Sequence, residues 1–181
     1  MGMVGSKREK VRKERKAGEV MDREWEQQGR MPETDTFTVR LMREGELGQA
    51  AELERLCFSQ PWSLKLLKDS YAGSWDTFFA VERQGILWGY AILRVIAGEG
   101  EIQRIAVHPR MRRVGIGSKL MEAMDAFSST CKVGDTTLEV RAGNIGAISL
   151  YKSYGFVEEG LRRDYYRNPT EDAVIMWRRR P

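Results

Sequence analysis

Histidine and cysteine are almost missing from this chain of 181 residues, which has one of the first and two of the second. Cys57 and Cys131 have no paired spacing, which argues against a structural metal site and suits a reducing compartment such as the cytoplasm. The lone histidine, His108, directly precedes Pro109 at the exit of an apolar run and reads as a surface or turn residue rather than a base. No apolar run approaches the roughly 18 residues that a membrane-spanning helix needs. The N-terminus is basic but lacks the apolar segment of a secretory signal, so a soluble protein that is not exported is expected. Gly2 and Ser6 fit the loose N-myristoylation pattern, and nothing else points to a membrane. Internal repeats are absent.

What charge there is lies unevenly. Of the net +4, residues 1–30 hold nine Lys/Arg against six Asp/Glu, which leaves +1 for residues 31–181. Residues 7–16, KREKVRKERK, carry seven positive and two negative side chains and no apolar stripe. That composition reads as a solvated, disordered or loosely helical extension. A second reading is a weak, salt-reversible contact with nucleic acid or the ribosome. The expected organisation is an extension over 1–35 and one domain over 36–181, long enough to bury a core.

Within that domain, periodicity predicts a strand at Thr36–Met42 and an amphipathic helix at Glu44–Cys57. A short helix capped by Ser63 follows, running to Tyr71 and ended by Gly73. Thr77–Glu82 and Ile86–Ile96 form a hairpin turning at Arg83-Gln84-Gly85. Leu138 and Val140 alternate with Glu139 and Arg141 on a later strand. Asn144 caps a helix that ends at Gly155, and strands at Phe156–Leu161 and Ala173–Trp177 flank a polar loop. The order β-α-α-β-β-β-α-β-α-β-β predicts an α/β fold: a mixed sheet of about seven strands flanked by about four helices.

One stretch concentrates the chemistry. The apolar strand Ile102, Ile105, Val107 stops at Pro109, passes through a basic loop and enters a helix at Gly115 and Gly117. A strand, a glycine loop and a helix N-terminus turn several backbone N–H groups toward one point, which favours a phosphate or pyrophosphate. Leu120 stands where a dinucleotide fingerprint needs its third glycine, and the Gly-Lys-Ser/Thr of a P-loop is missing.

The ordered set RIAVHPRMRRVGIG, LEVRAGNIGAISLYKSYGF and RRDYYRN goes further. From about Thr38 to Trp177 the chain resembles the Gcn5-related N-acetyltransferase (GNAT) superfamily, and within it the ribosomal-protein alanine acetyltransferase (RimI) branch. Arg112, Gly115 and Gly117 fit the family's Arg-x-x-Gly-x-Gly pattern. The resemblance implies that backbone N–H groups of Arg112, Arg113, Val114, Gly115, Ile116, Gly117 and Ser118 hold the pyrophosphate of acetyl-CoA. It further implies that Ile105, Ala106 and Val107 line the pantetheine arm and stabilise the oxyanion of acyl transfer, an effect worth ~3 kcal/mol per donor.

Asn144 matches a position that touches the cofactor, alongside its role as a helix cap. Glu139 matches the general base and Tyr151 the general acid. Their bland alternatives are a solvent-facing strand carboxylate or an ion pair with Arg141 for Glu139, and core packing for Tyr151. Tyr165 and Tyr166 match the hairpin that receives the acceptor. The implied reaction moves acetyl from acetyl-CoA, with no metal, to the N-terminal amino group of a protein, foremost the alanine of a small-subunit ribosomal protein. A lysine, polyamine or small-molecule amine is the alternative acceptor, since a fold does not fix an acceptor.

Overall fold

Two tight turns set the first half of the sheet. The computed structural model describes residues 36–180, so the readings of 1–35 lie outside the described residues. Gln84 and Gly85 adopt φ of 54° and 79°, and Ala97 and Gly98 adopt 52° and 86°. Two successive left-handed residues match the right-handed twist of paired strands, and they fold β2 (Asp76–Arg83), β3 (Ile86–Ile96) and β4 (Glu99–Val107) into a meander. β1 (Thr38–Leu41) adds antiparallel to β2.

Helix α1 (Leu47–Cys57) follows a 3-10 turn at Glu44–Glu46, and α2 (Leu64–Ala72) is capped by Ser63, whose hydroxyl accepts the Leu66 N–H at 3.1 Å. From β4 the chain crosses over through α3 (Ile116–Thr130) to β5 (Thr136–Arg141), which lies parallel to β4. Helix α4 (Ile145–Ser153) then leads to β6 (Val157–Tyr166) and β7 (Glu171–Arg178). The seven strands stand in the order β1-β2-β3-β4-β5-β7-β6, and every pairing except β4–β5 is antiparallel.

Strand alternation sends side chains to two buried faces. Phe78, Ala80, Tyr90, Ile92 and Ala106 pack with Leu47, Ala50, Ala51 and Leu53 of α1 and Leu67 of α2. On the other face Phe79 meets Phe127 of α3 edge-on at 5.6 Å. A Cβ at Gly89 would sit 2.6 Å from Ile116 Cγ2 and 3.1 Å from the Ala106 carbonyl, so only glycine lets the start of α3 press onto the sheet beside the end of β4.

The expected β-α order is present. The main difference lies in β6: sequence patterning ends the strand at Leu161 before a polar loop, and in the structure it runs to Tyr166. β6 is an edge strand whose side chains are almost all exposed, so no apolar alternation marks it, and pairing with β7 alone holds it extended.

Candidate active site

The parallel pair β4–β5 is where the sheet opens. Its register holds for only three pairs, Gly100 with Thr136, Glu101 with Thr137 and Ile102 with Leu138. Beyond them β4 continues to Val107 and β5 to Arg141 without pairing to each other. Gln103 is an extra residue opposite the register shift at Ile92/Leu93, and such a bulge bends its strand. The β4 edge through Ile105, Ala106 and Val107 therefore faces a gap that starts beside Glu139. A crevice at the carboxyl ends of strands is a recurrent ligand site.

The mouth of this gap holds the basic loop. Arg113 takes φ 68° and Gly115 φ 90°, left-handed positions on either side of Val114, before α3 starts at Ile116. Alternation of this kind turns successive N–H groups inward, and the helix dipole adds to it. A Cβ at Gly115 would meet nothing within 4 Å, so the residue's conformation is what calls for glycine. At Gly117 a Cβ would meet Leu150 Cδ2 at 3.0 Å, which marks close packing of α3 on α4. Arg112, Arg113 and Val114 are exposed, Ile116 is buried, and the Ser118 carbonyl accepts the Tyr154 hydroxyl at 3.1 Å.

Arg112 Nε donates to the Val107 carbonyl at 3.4 Å, and the Cys57 thiol reaches the same oxygen at 3.3 Å. Burial pushes the Cys57 thiol above its ordinary pKa. Asn144 caps α4, its Oδ1 accepting the Ala147 N–H at 3.2 Å.

At the apex, Glu139 projects on the opposite face from buried Leu138 and Val140. Its partner is Arg162, whose Nε lies 3.1 Å from Oε1, and not Arg141, which pairs with Glu171 at 2.8 Å. The Glu139 carboxylate beside Tyr165, followed by burial, raises the phenol's pKa. Tyr166 packs edge-on against Tyr165 at 5.1 Å, and burial, with Glu139 nearby, pushes its phenol up to about 12. Tyr151 is buried near Phe156 with ring centres 6.0 Å apart, and burial, with Tyr166 next, raises its pKa well above that of a free phenol.

The structure thus gathers Glu139, Tyr151, Tyr165 and Tyr166 in one region. A bulge between Arg162 and Tyr166 re-aims the two tyrosines, with Asp164 at φ 51° and its N–H bound to Asp172 Oδ1 at 2.8 Å.

His108 corrects the expectation of a surface residue. It is 5 % exposed and packs edge-on to Trp88 at 5.4 Å. The turn role holds, because Nδ1 accepts the Arg110 N–H at 3.3 Å.

Sequence reasoning missed a buried polar node under the α1–α2 connection. Glu54 is fully buried and accepts from the Trp62 N–H at 2.6 Å and from the Tyr90 hydroxyl, with Arg104 Nε 3.4 Å away. Arg104 lies 4.6 Å from the Phe58 ring centre and 4.8 Å from that of Trp62. Its signal was available: Glu54 falls on the apolar face of α1, in step with Leu47 and Ala50.

A strand pair that parts at its carboxyl end, with an anion loop and helix N-terminus at the mouth and a carboxylate at the apex, defines a class. It is the class whose geometry suits a phosphate-bearing ligand seated between two strands with a carboxylate beside it. Comparison with known proteins supplies the family: residues 47–156 match the model of the Acetyltransferase (GNAT) family, and the chain belongs to it.

Among its relatives is the [ribosomal protein bS18]-alanine N-acetyltransferase of Escherichia coli K12, 36% identical over 77% of this chain and 95% of that protein. A putative enzyme of the same name from Bacillus subtilis is 33% identical over 77% of this chain and 93% of its own. The crystal structure of the ribosomal-protein-S18-alanine N-acetyltransferase from E. coli superposes with a TM-score of 0.74, at 33% identity over 80% of this chain and 94% of that one.

The protein is therefore an acetyltransferase that uses acetyl-CoA. The residues present fit that ligand, with an unpaired β4 edge for its arm and an N–H-lined loop at Arg113–Gly115 for its phosphates. Among the described residues no group of three or more His, Cys, Asp or Glu is placed to hold a metal ion, and no helix is long and apolar enough to cross a membrane.

Proposed function

We propose that this enzyme acetylates the N-terminal amino group of a protein, and that its acceptor is the N-terminal alanine of ribosomal protein bS18. The observation that carries this reading is the similarity to bS18-alanine N-acetyltransferases along nearly their whole length, 93% and 95% of two of them. The reading puts the enzyme in the cytoplasm, where ribosomal proteins are made.

Acetyl-CoA, when bound, supplies an acyl group activated as a thioester. In the proposed mechanism the N–H groups of Arg112 to Ser118 hold the pyrophosphate, and Asn144 fixes the start of the helix that bears Tyr151. The Ile105–Val107 edge orients the carbonyl and stabilises the charge that develops on its oxygen. The acceptor enters beside Tyr165 and Tyr166.

A free α-amino group has a pKa of ~8, so a carboxylate acting directly or through one water suffices to take its proton. Glu139 has that role. As the carbon–nitrogen bond forms and the carbon–sulfur bond breaks, the departing thiolate takes a proton from the Tyr151 hydroxyl. A phenol already holds its proton at neutral pH, and the low-dielectric surroundings that raise the pKa of Tyr151 disfavour a thiolate as well.

The test is acetylation, read by mass spectrometry, of an alanine-starting bS18 peptide that also contains lysine. Label on the α-amino group alone, lost when the N-terminus is blocked, is the expected result. Label on lysine, or equal label on the blocked peptide, overturns the reading.

A further inference from the structure

Arg141 sits at the end of β5, two residues beyond Glu139, and its guanidinium meets five partners. Nη1 donates to Glu171 Oε2 at 2.8 Å and to the Pro169 carbonyl at 3.2 Å. Nη2 donates to Ser59 Oγ at 2.7 Å and to the Arg167 carbonyl at 2.9 Å. Its carbon centre lies 4.4 Å from the centre of the Tyr166 ring.

We propose that Arg141 is a positioning residue that builds the acceptor side of the site, by clamping the α1–α2 connection and the β6–β7 hairpin onto the end of β5. The proposal rests on the reading that the acceptor amine enters beside Tyr165 and Tyr166.

The clamp ties the α1–α2 connection, which no strand pairing links to the β6–β7 hairpin, to a hairpin that β7 already pairs with β5. Ser59 belongs to the α1–α2 connection, while Tyr166, Arg167 and Pro169 belong to the hairpin, more than a hundred residues later. The Ser59 hydroxyl also reaches the Arg167 carbonyl, at 3.3 Å, so the guanidinium closes a small ring of hydrogen bonds. A flat fork with donors along two edges can serve two carbonyls, a hydroxyl and a carboxylate while its face lies on an aromatic ring.

The same residue acts in two directions. Through Tyr166 it reaches Tyr165, packed edge-on against it at 5.1 Å and beside Glu139. Through Glu171, at the start of β7, it reaches the turn that follows β5, because Glu171 Oε1 accepts the Gly143 N–H at 2.6 Å. Gly143 directly precedes Asn144, the cap of the helix that carries Tyr151. One ion pair thus sets both the aromatic wall of the acceptor site and the start of α4. The arginine and glutamate side chains are only 23% and 25% exposed, so solvent competes weakly for their bonds.

The test compares wild type with Arg141→Lys and Ser59→Ala. Lysine keeps the charge and loses the fork, and alanine removes the hydroxyl that ties the two loops. In Arg141→Lys the KM for the acceptor peptide should rise about tenfold, because placement of a substrate is lost, while the KM for acetyl-CoA stays within about twofold. Ser59→Ala should raise the acceptor KM about threefold, on the same ground.

Hydrogen exchange of the protein without substrates should quicken in Arg141→Lys at residues 58–60 and 165–170 together. A purely structural role would lower the melting temperature and leave the acceptor KM where it was. Acceptor KM values within twofold of wild type in both variants, with unchanged exchange in both segments, overturn the proposal. If Arg141→Lys does not fold, Ser59→Ala decides it. If wild type leaves the alanine peptide unmodified, the acceptor reading falls, and the exchange experiment still judges the clamp.

Discussion

Arg162 Nε lies 3.1 Å from Glu139 Oε1, so the carboxylate at the apex of the strand gap carries a cationic partner drawn from the edge strand. The arginine side chain is 55% exposed, and such pairs contribute little, about 0–1 kcal/mol. Arg162→Ala is therefore expected to change kcat by less than about fivefold. Glu139→Gln, which removes the proton acceptor, should lower kcat about 10²-fold or more. Steady-state kinetics on both variants separate a base from a surface ion pair, and comparable losses in the two would remove the assignment.

Tyr151 and Tyr166 should give the enzyme a distinct alkaline profile. A phenol whose pKa is raised by burial keeps its proton to higher pH, so tyrosine ionisation should not limit kcat between pH 7 and about 10, the pKa of a free tyrosine. The sign for stability follows from the same shift. Tyr166, pushed up to about 12 in the folded state, contributes stability that is complete below about pH 10 and is lost as pH rises toward 12. Urea unfolding from pH 8 to 11.5 should show that decline, and Tyr166→Phe should flatten it. Tyr151→Phe should retain the melting temperature and lose activity.

Gly115 and Gly89 should fail for different reasons. Alanine at Gly115 meets no neighbour but must hold φ at 90°, which costs about 1–2 kcal/mol. Its chief effect should be weaker acetyl-CoA binding, measured by calorimetry. Alanine at Gly89 sits 2.6 Å from Ile116 Cγ2, so the start of α3 must move off the sheet. Loss of stability by about 1–3 kcal/mol in chemical denaturation is expected there.

Glu54 tests the buried node. Glu54→Leu leaves the Trp62 N–H, the Tyr90 hydroxyl and Arg104 without their shared acceptor and should cost about 3–5 kcal/mol. Burial raises the Glu54 pKa over the opposing pull of Arg104, Tyr90 and Trp62. The stability it confers is then complete below the ordinary carboxylate pKa of about 4.3 and falls as pH rises through the shifted value. Denaturation of Glu54→Gln against wild type should show the variant gaining relative stability from pH 4 to 8.

The sequence determined the elements, because local rules govern them. Period-two and period-3.6 patterns, Ser63 and Asn144 as caps and Gln84-Gly85 as a turn each act within a few residues of themselves. The glycine loop was legible for the same reason, since Gly115 answers to its own φ. Tertiary structure alone decided what joins residues far apart in the chain. Pairing with β7, and no pattern in its own side chains, carried β6 on to Tyr166. The early end of the β4–β5 register opened the gap beside Glu139. Charge partners were chosen the same way: Glu139 took Arg162, Arg141 took Glu171, and Glu54 went into the core with Tyr90. Charges along a strand or helix fix which face a side chain takes, but which opposite charge meets it depends on the packing of segments that the sequence keeps dozens of residues apart.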